Sequence, residues 1–288
     1  MQSLKKSKVA SFIIVFITYL LATVVGYFTF ISLNLPVWLS LLIADVVATV
    51  VTFIFSVIFK NASVYDPYWS VQPIVIVIMF AIGKPINITA LLPIIAICVW
   101  GIRLTANWAY TFGDLTHQDW RYTMLKENTK KFYPIINFIG IHLVPTLVVY
   151  ACVLPALYTI LLSTTLVVNV GSYIFFGLSV LAVILQGTAD VQMHKFRKHR
   201  NAPFIRNGLW KHSRHPNYLG EILMWWGIGL AFVCVMPSMW YLLAGALANT
   251  ILFTAVSIPM AEKRQSRKEG YATYRACTRV LLPMKRFR

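Results

Sequence analysis

Apolar residues run through this chain in long stretches separated by short polar ones. The stretches at 12–33, 37–59, 67–82, 89–110, 134–162, 171–193, 217–235 and 238–258 mostly reach the length a helix needs to cross a membrane. That length is about 20 residues for a hydrocarbon core of about 30 Å. The pattern predicts an all-α fold, a polytopic integral membrane helix bundle of about eight (seven to eight) spans. The third run is the shortest and holds Pro73, which points to a kink or to burial against protein. The first run follows Lys5, Lys6 and Lys8, yet it is too long for a signal-peptide core and lacks a small-residue cleavage site. It is therefore expected to remain as a span.

Composition sharpens the class. Of 288 residues, 58% are hydrophobic and 12% charged, and the mean hydropathy of +0.69 lies outside the soluble globular range. A net charge of +17 raises the question of nucleic acid. Of the 26 Lys and Arg, however, all but Lys84 and Arg103 fall in the N-terminal segment, 60–66, 111–133, 194–216 and the segment from 259. With the N-terminus cytoplasmic, these segments all lie on one side, as positive-inside bias requires. The expected partner is thus a lipid bilayer and not nucleic acid, with both termini cytoplasmic. A single membrane domain over 1–288 follows, without internal repeats. Cys98, Cys152, Cys234 and Cys277 are scattered, so neither a metal site nor a disulfide framework is expected.

Charges inside apolar runs are functional candidates by default. Asp45 stands alone in the second run. Arg103 is followed one turn later by Asn107 on the same helix face. Its guanidinium suits a phosphate or carboxylate, the bland alternative being an ion pair with Asp190 or Glu221. In Q-G-T-A-D-V-Q-M-H-K-F-R-K-H-R, a continuing helix would carry Gln186, Asp190, His194 and Arg197 as one stripe. Such a stripe can hydrogen-bond a ribose and grip a phosphate. A basic patch against anionic lipid explains Lys195, Lys198 and Arg200 but leaves Gln186 and Asp190 unexplained.

The densest chemistry lies at 207–221, N-G-L-W-K-H-S-R-H-P-N-Y-L-G-E. Residues 207–210 read as a turn, and Pro216 fits the first turn of a helix. Asn217 and Glu221 then share a face, and Gly220 allows close approach. With Lys211, Arg214, His215 and Tyr218 nearby, such a helix N-terminus suits an anionic cofactor. Capping by Ser213 or Asn217 is the alternative, and it does not account for Glu221. The segment N-A-S-V-Y-D-P-Y-W-S-V-Q-P sets Tyr65, Asp66, Tyr68, Trp69 and Gln72 at a membrane boundary. They form either an aromatic belt or, for Asp66 and Gln72, the mouth of a cavity that handles a carbonyl. In G-D-L-T-H-Q-D-W-R-Y, Asp114, His117, Asp119, Arg121 and Tyr122 mark a lid or a solvated connection. Further on, Glu262 could close the polar cluster. Tyr271 and Arg275, one turn apart, could stack on a base and hold a phosphate. Lys285, Arg286 and Arg288 fit a lipid-facing basic tail.

On these residues the chain resembles the steroid 5-alpha-reductase superfamily, in its bacterial branch of conserved membrane domains. The resemblance runs over about 66–283. It is carried by G-L-W-K-H-S-R-H-P-N-Y-L-G-E, by D-P-Y-W-S, by the helix bearing Arg103 and by 262–283. Residues 1–60 are less covered, and 61–288 form the reductase-like core. The resemblance implies an NADPH-dependent oxidoreductase in the bacterial inner membrane, its cofactor site facing the cytosol. Hydride would pass to the carbon–carbon double bond of a conjugated carbonyl in a steroid-like or other lipid substrate. By the same resemblance, Asn217 and Glu221 bind the nicotinamide part, and Asp190 and Arg197, with Gln186 nearby, the adenosine and phosphate part. Arg103 also falls on a cofactor position. Asn107, His194, His215, Tyr218, Glu262, Tyr271 and Arg275, taken from spacing and neighbourhood, complete the expected cofactor set.

The family's carbonyl-polarising tyrosine falls at Trp100, and its Gln-Glu pair is absent near Tyr65-Asp66. That leaves Tyr65, Asp66 and Tyr68 as candidate acids to stabilise the developing enolate. R-H-P-N-Y-L-G-E is shared with membrane sterol C14-type reductases and with isoprenylcysteine carboxyl methyltransferases, which use S-adenosylmethionine. A membrane methyltransferase is therefore the alternative, and the Gln186–Arg197 cluster favours a dinucleotide through its additional anion-binding groups. A transporter would need paired broken helices and symmetric halves, which the sequence lacks. A lipid-binding structural protein is the remaining reading.

Overall fold

In lipid, each spanning segment must satisfy its own backbone polar groups, so apolar runs of this length become helices. A computed structural model describes residues 5–85, 87–199 and 201–282, and every regular element in them is helical. Arg200, Lys285, Arg286 and Arg288, read above as basic surface, lie outside the described residues. Seven helical runs among the described residues are long and apolar enough to cross a membrane. The protein is an all-α polytopic membrane bundle. The expected run left out of the seven is helical too, but its opening turns carry Asn217 and Glu221.

The chain divides into two compact units. The first comprises Met1–Ile82 and Trp100–Leu154. Here α1 (Lys8–Ser32) packs along α2 (Val37–Ile58). Their seam is built from small residues, as membrane helix pairs require. At Gly26 a Cβ would stand 3.3 Å from both the Ala44 carbonyl oxygen and the Ala48 Cβ. The buried hydroxyls of Thr18 and Thr52 donate back to Ile14 and Ala48 carbonyls, so they cost little inside the helices. A 3₁₀ turn, Ala62–Val64, leads into α3 (Tyr68–Ala81), which keeps Pro73 inside it. Then α4 (Ile88–Thr111) carries the chain onward, its residues from Trp100 belonging to this unit.

The polar stretch 111–133 is not all connection. Asp119 accepts from the Arg121 amide at 2.8 Å and caps α5 (Trp120–Thr129), a helix too polar for apolar periodicity to reveal. After it, a π-helical segment, Ile136–Leu143, precedes α6 (Val144–Leu161).

The second unit comprises Gly83–Val99 and Pro155–Arg288. Its spine is α7 (Val170–His199) packed along α8 (Pro216–Val233). Glycines allow this contact. A Cβ at Gly220 would lie 2.6 Å from the Ala182 carbonyl oxygen, and one at Gly227 would lie 2.7 Å from that of Phe175. Beyond α8 come α9 (Ala244–Leu252), a π segment, Phe253–Ser257, α10 (Ile258–Gln265) and α11 (Tyr271–Cys277).

Candidate functional site

In the second unit, α7 runs unbroken through the expected stripe. Gln186 is buried, Asp190 and His194 half-buried, and Arg197 exposed. The stripe therefore leads from the interior of the helix pair to the surface at the end of α7. At its inner end the Gln186 amide donates to Glu221 Oε2 at 3.1 Å. Trp225, one turn further along α8, donates its indole N–H to Glu221 Oε1 at 2.9 Å. Glu221 is only 4% exposed. These two bonds fix the orientation of the carboxyl. One turn before it, Asn217 Oδ1 is buried and has no hydrogen-bond partner. Asn217 does not cap α8, whose N-terminus has no side-chain cap. Ser213 does not cap it either; its hydroxyl donates to the Val280 carbonyl at 3.2 Å.

Arg214 and His215 are used differently from the cofactor-facing role expected of the α8 N-terminus. Arg214 Nε donates to Glu262 Oε1 at 3.0 Å, and its guanidinium also binds the Arg275 and Thr278 carbonyls. His215 Nε2 lies 2.8 Å from the same Glu262 oxygen, and the Tyr271 hydroxyl donates to it at 2.7 Å. Glu262 does close a polar cluster, and the cluster clasps α11 and the strand-like 279–280 segment against α8. Two amides complete the clasp, Arg214 to the Arg279 carbonyl and His215 to that of Val280. Tyr271 is buried, its ring against Phe204 and Tyr274. Those contacts occupy the ring that was expected to stack on a base. Burial, then the bond to Glu262, hold the Tyr271 phenol well above its ordinary pKa, and burial pushes Tyr274 up to about 12. Arg275 stays largely exposed, 3.8 Å from Glu262 Oε2. Tyr218 stacks on His215 with ring centroids 5.3 Å apart.

The 207–210 turn is real, with Gly208 at φ +59° where an L side chain would be strained. It is tied to α7 by Gln192, which accepts from the Leu209 amide, and by Trp210, whose indole donates to the Ala189 carbonyl.

In the first unit, Tyr65, Asp66 and Tyr68 part company. The Tyr65 hydroxyl pairs with Thr146 at 2.9 Å, and Thr146 with Thr49 at 3.0 Å. Asp66 accepts from the Tyr122 hydroxyl at 2.5 Å, so Tyr122 latches α5 to the turn before α3. Asn61 ties the same turn to the 115–117 backbone. Asp114 and His117 remain at the surface beside each other, and Asp114 is held below the usual carboxylate range by its bonds from Thr116. Tyr68 lines a cavity, and it donates to Asp45 Oδ1 at 3.0 Å.

That cavity measures about 180 Å³ and lies among α1, α2 and α3. Its walls are mostly apolar, with Asp45, Tyr68 and Gln72 meeting at one end and the Thr23 and Tyr27 hydroxyls set along α1. Asp45 is 4% exposed, and its Oδ2 has no hydrogen-bond partner. The sequence marked Asp45 as an intramembrane charge without naming a partner; the pairing with Tyr68 needs the fold. Arg103 and Asn107 also belong to this unit, half-buried on α4. Trp100 is fully buried beside Trp69.

A family model described as "Protein of unknown function (DUF1295)" matches residues 51–278. The chain belongs to that family. The family is associated with steroid 5-alpha-reductase-like proteins. The match takes in the Asp66–Tyr122 latch, both helices of the α7–α8 pair, and Arg214, His215, Glu262 and Tyr271 of the clasp. One relative, "Uncharacterized protein C594.04c" from Schizosaccharomyces pombe (strain 972 / ATCC 24843), is 27% identical over 193 residues. The alignment covers 58% of this chain and 56% of that relative, so the chain spans little more than half the relative's length. No solved structure matches the chain.

Proposed function

We propose that this DUF1295 protein is an NADPH-dependent membrane reductase acting on the carbon–carbon double bond of a conjugated carbonyl in a lipid. The observation that carries the reading is the orphaned Asn217 Oδ1, buried one turn from Glu221 at the entrance of α8. A buried acceptor without a donor costs about 1–3 kcal/mol, a cost that a bound donor removes. The donor set fits a nicotinamide dinucleotide. Asn217 and Glu221 offer acceptors for a carboxamide N–H, and the half-buried Asp190 offers one for a ribose hydroxyl. His194 and the exposed Arg197 supply cationic or donor groups for phosphate at the surface end of α7. Arg103 and Asn107 are assigned to the cofactor on the resemblance.

When bound, NADPH supplies the hydride. The chain's own part in the first unit is to hold the carbonyl and supply a proton. Asp45 in its acid form donates through Oδ2 to a carbonyl oxygen in the cavity, with Tyr68 fixing Oδ1 and therefore the rotamer. The concentration of Lys and Arg in a few interhelical segments supports a cofactor site on the cytosolic side of an inner membrane.

The test is a cofactor screen on purified protein, followed by oxidation of NADPH in the presence of conjugated enones. Stabilisation by NADPH and enone-dependent loss of NADPH absorbance are expected. Stabilisation by S-adenosylmethionine and not by NADPH would replace the reductase with the methyltransferase reading.

A further inference from the structure

We infer that the cavity among α1, α2 and α3 takes a single extended hydrocarbon chain, acyl or isoprenoid, with a carbonyl head, and not a fused-ring nucleus. The conjugation of that carbonyl rests on the reductase reading; the shape of the ligand does not.

Volume and length decide the shape together. The cavity holds about 180 Å³. An engineered apolar cavity of roughly 150 Å³ accommodates one benzene ring, and pockets for drug-sized ligands begin near about 300 Å³. Yet the lining residues extend from Tyr19 to Phe30 on α1 and from Tyr68 to Phe80 on α3. At a rise of about 1.5 Å per residue that is roughly 16–18 Å of helix. Space for little more than one ring's worth of atoms is thus drawn out over three helical turns. A chain fills such a volume, and a rigid four-ring plate does not. The narrowness has a local cause in the close approach of α1 and α2 at Gly26.

Polarity sets the direction. Tyr19 packs edge-on to Tyr68 at 5.6 Å, next to Asp45, and this end carries the unpartnered Asp45 Oδ2 and Gln72. Phe30 and Phe80 close the other end, with ring centroids 5.5 Å apart. Between them lie Ala22, Val71, Val75 and Ile76, and the polar side chains along that stretch are the hydroxyls of Thr23 and Tyr27 on α1. The carboxyl and amide of the lining both stand at the Asp45 end, so the carbonyl head lies there and the chain runs towards Phe80.

Full-length protein in lipid nanodiscs is titrated with straight-chain 2-enones of increasing length and with a 3-oxo-4-ene steroid, and thermal stabilisation is read. Stabilisation should rise with chain length and level off, and the steroid should bind about tenfold more weakly or worse. Val75→Trp should move the plateau to shorter chains and Phe80→Ala to longer ones, so the prediction survives if one variant fails to fold. A steroid that stabilises as well as the best straight chain, or a response independent of chain length in wild type and in Phe80→Ala, overturns the inference. Chain-length-dependent binding without NADPH oxidation would sink the reductase reading and leave the chain-shaped cavity standing. Oxidation driven by the steroid alone would do the reverse.

Discussion

Gln186 and Trp225 hold the two oxygens of Glu221, and this arrangement makes the α8 carboxylate a fixed acceptor instead of a mobile charge. Replacing Gln186 by Leu leaves Oε2 without that donor in a buried place. A loss of about 1–3 kcal/mol is expected, read as a lowered melting temperature in detergent. In the other unit, Asp45 and Tyr68 carry different loads. Asp45→Asn removes the acid, and the rate of NADPH oxidation should fall about 10²-fold or more, whereas Tyr68→Phe, which only frees Oδ1, should cost about tenfold. Tyr65→Phe loses a bond to Thr146 outside the cavity and should leave the rate within about threefold. Equal losses in all three variants would mean that the cavity end is not where the proton is delivered.

Helices show what the clasp and the glycines do. Arg214 is buried and shares Glu262 with His215 and Tyr271, so Glu262→Ala strands a buried guanidinium and should cost about 3 kcal/mol. Its visible effect should be release of α11, seen as rapid proteolysis after 263–275 in the variant and resistance in the wild type. The same clasp has a pH limit. Tyr271 and Tyr274 have folded pKa values raised above the unfolded value of about 10. Their contribution is fully present below pH about 10 and is lost as pH rises through the folded values, about 12 for Tyr274. Protease resistance should therefore hold to about pH 10 and fail above it. Gly220→Ala would press a Cβ to 2.5 Å from Gln186 Cγ and 2.6 Å from a backbone carbonyl, and the carbonyl cannot swing aside. Destabilisation of about 1–3 kcal/mol is expected, together with displacement of Gln186 from Glu221.

Across the whole molecule, the spans were legible because a membrane leaves a long apolar run no choice but helix. The same rule hid α5, a polar helix recognisable only by its Asp119 cap, and the π segment at Ile136–Leu143, for which no sequence period exists. On α7 the stripe was readable from spacing, since one helix fixes the relation of its own residues. Pairings between helices were not: Asp45 with Tyr68, Asp66 with Tyr122 and Arg214 with Glu262 join residues that no local rule connects. Arg214 shows the consequence, a cation that reads as an anion-binding group and is spent inside the fold. On the reading proposed above, Asn217 and Glu221 on α8 hold the cofactor. Equilibrium titration of purified protein with NADPH tests it most directly, using wild type, Asn217→Ala, Glu221→Ala and the surface control Lys84→Ala. Saturable binding by wild type and control, weakened about tenfold or more in both α8 variants, is the predicted result. Undiminished NADPH binding by Asn217→Ala and Glu221→Ala, or no binding by the wild type, would contradict it.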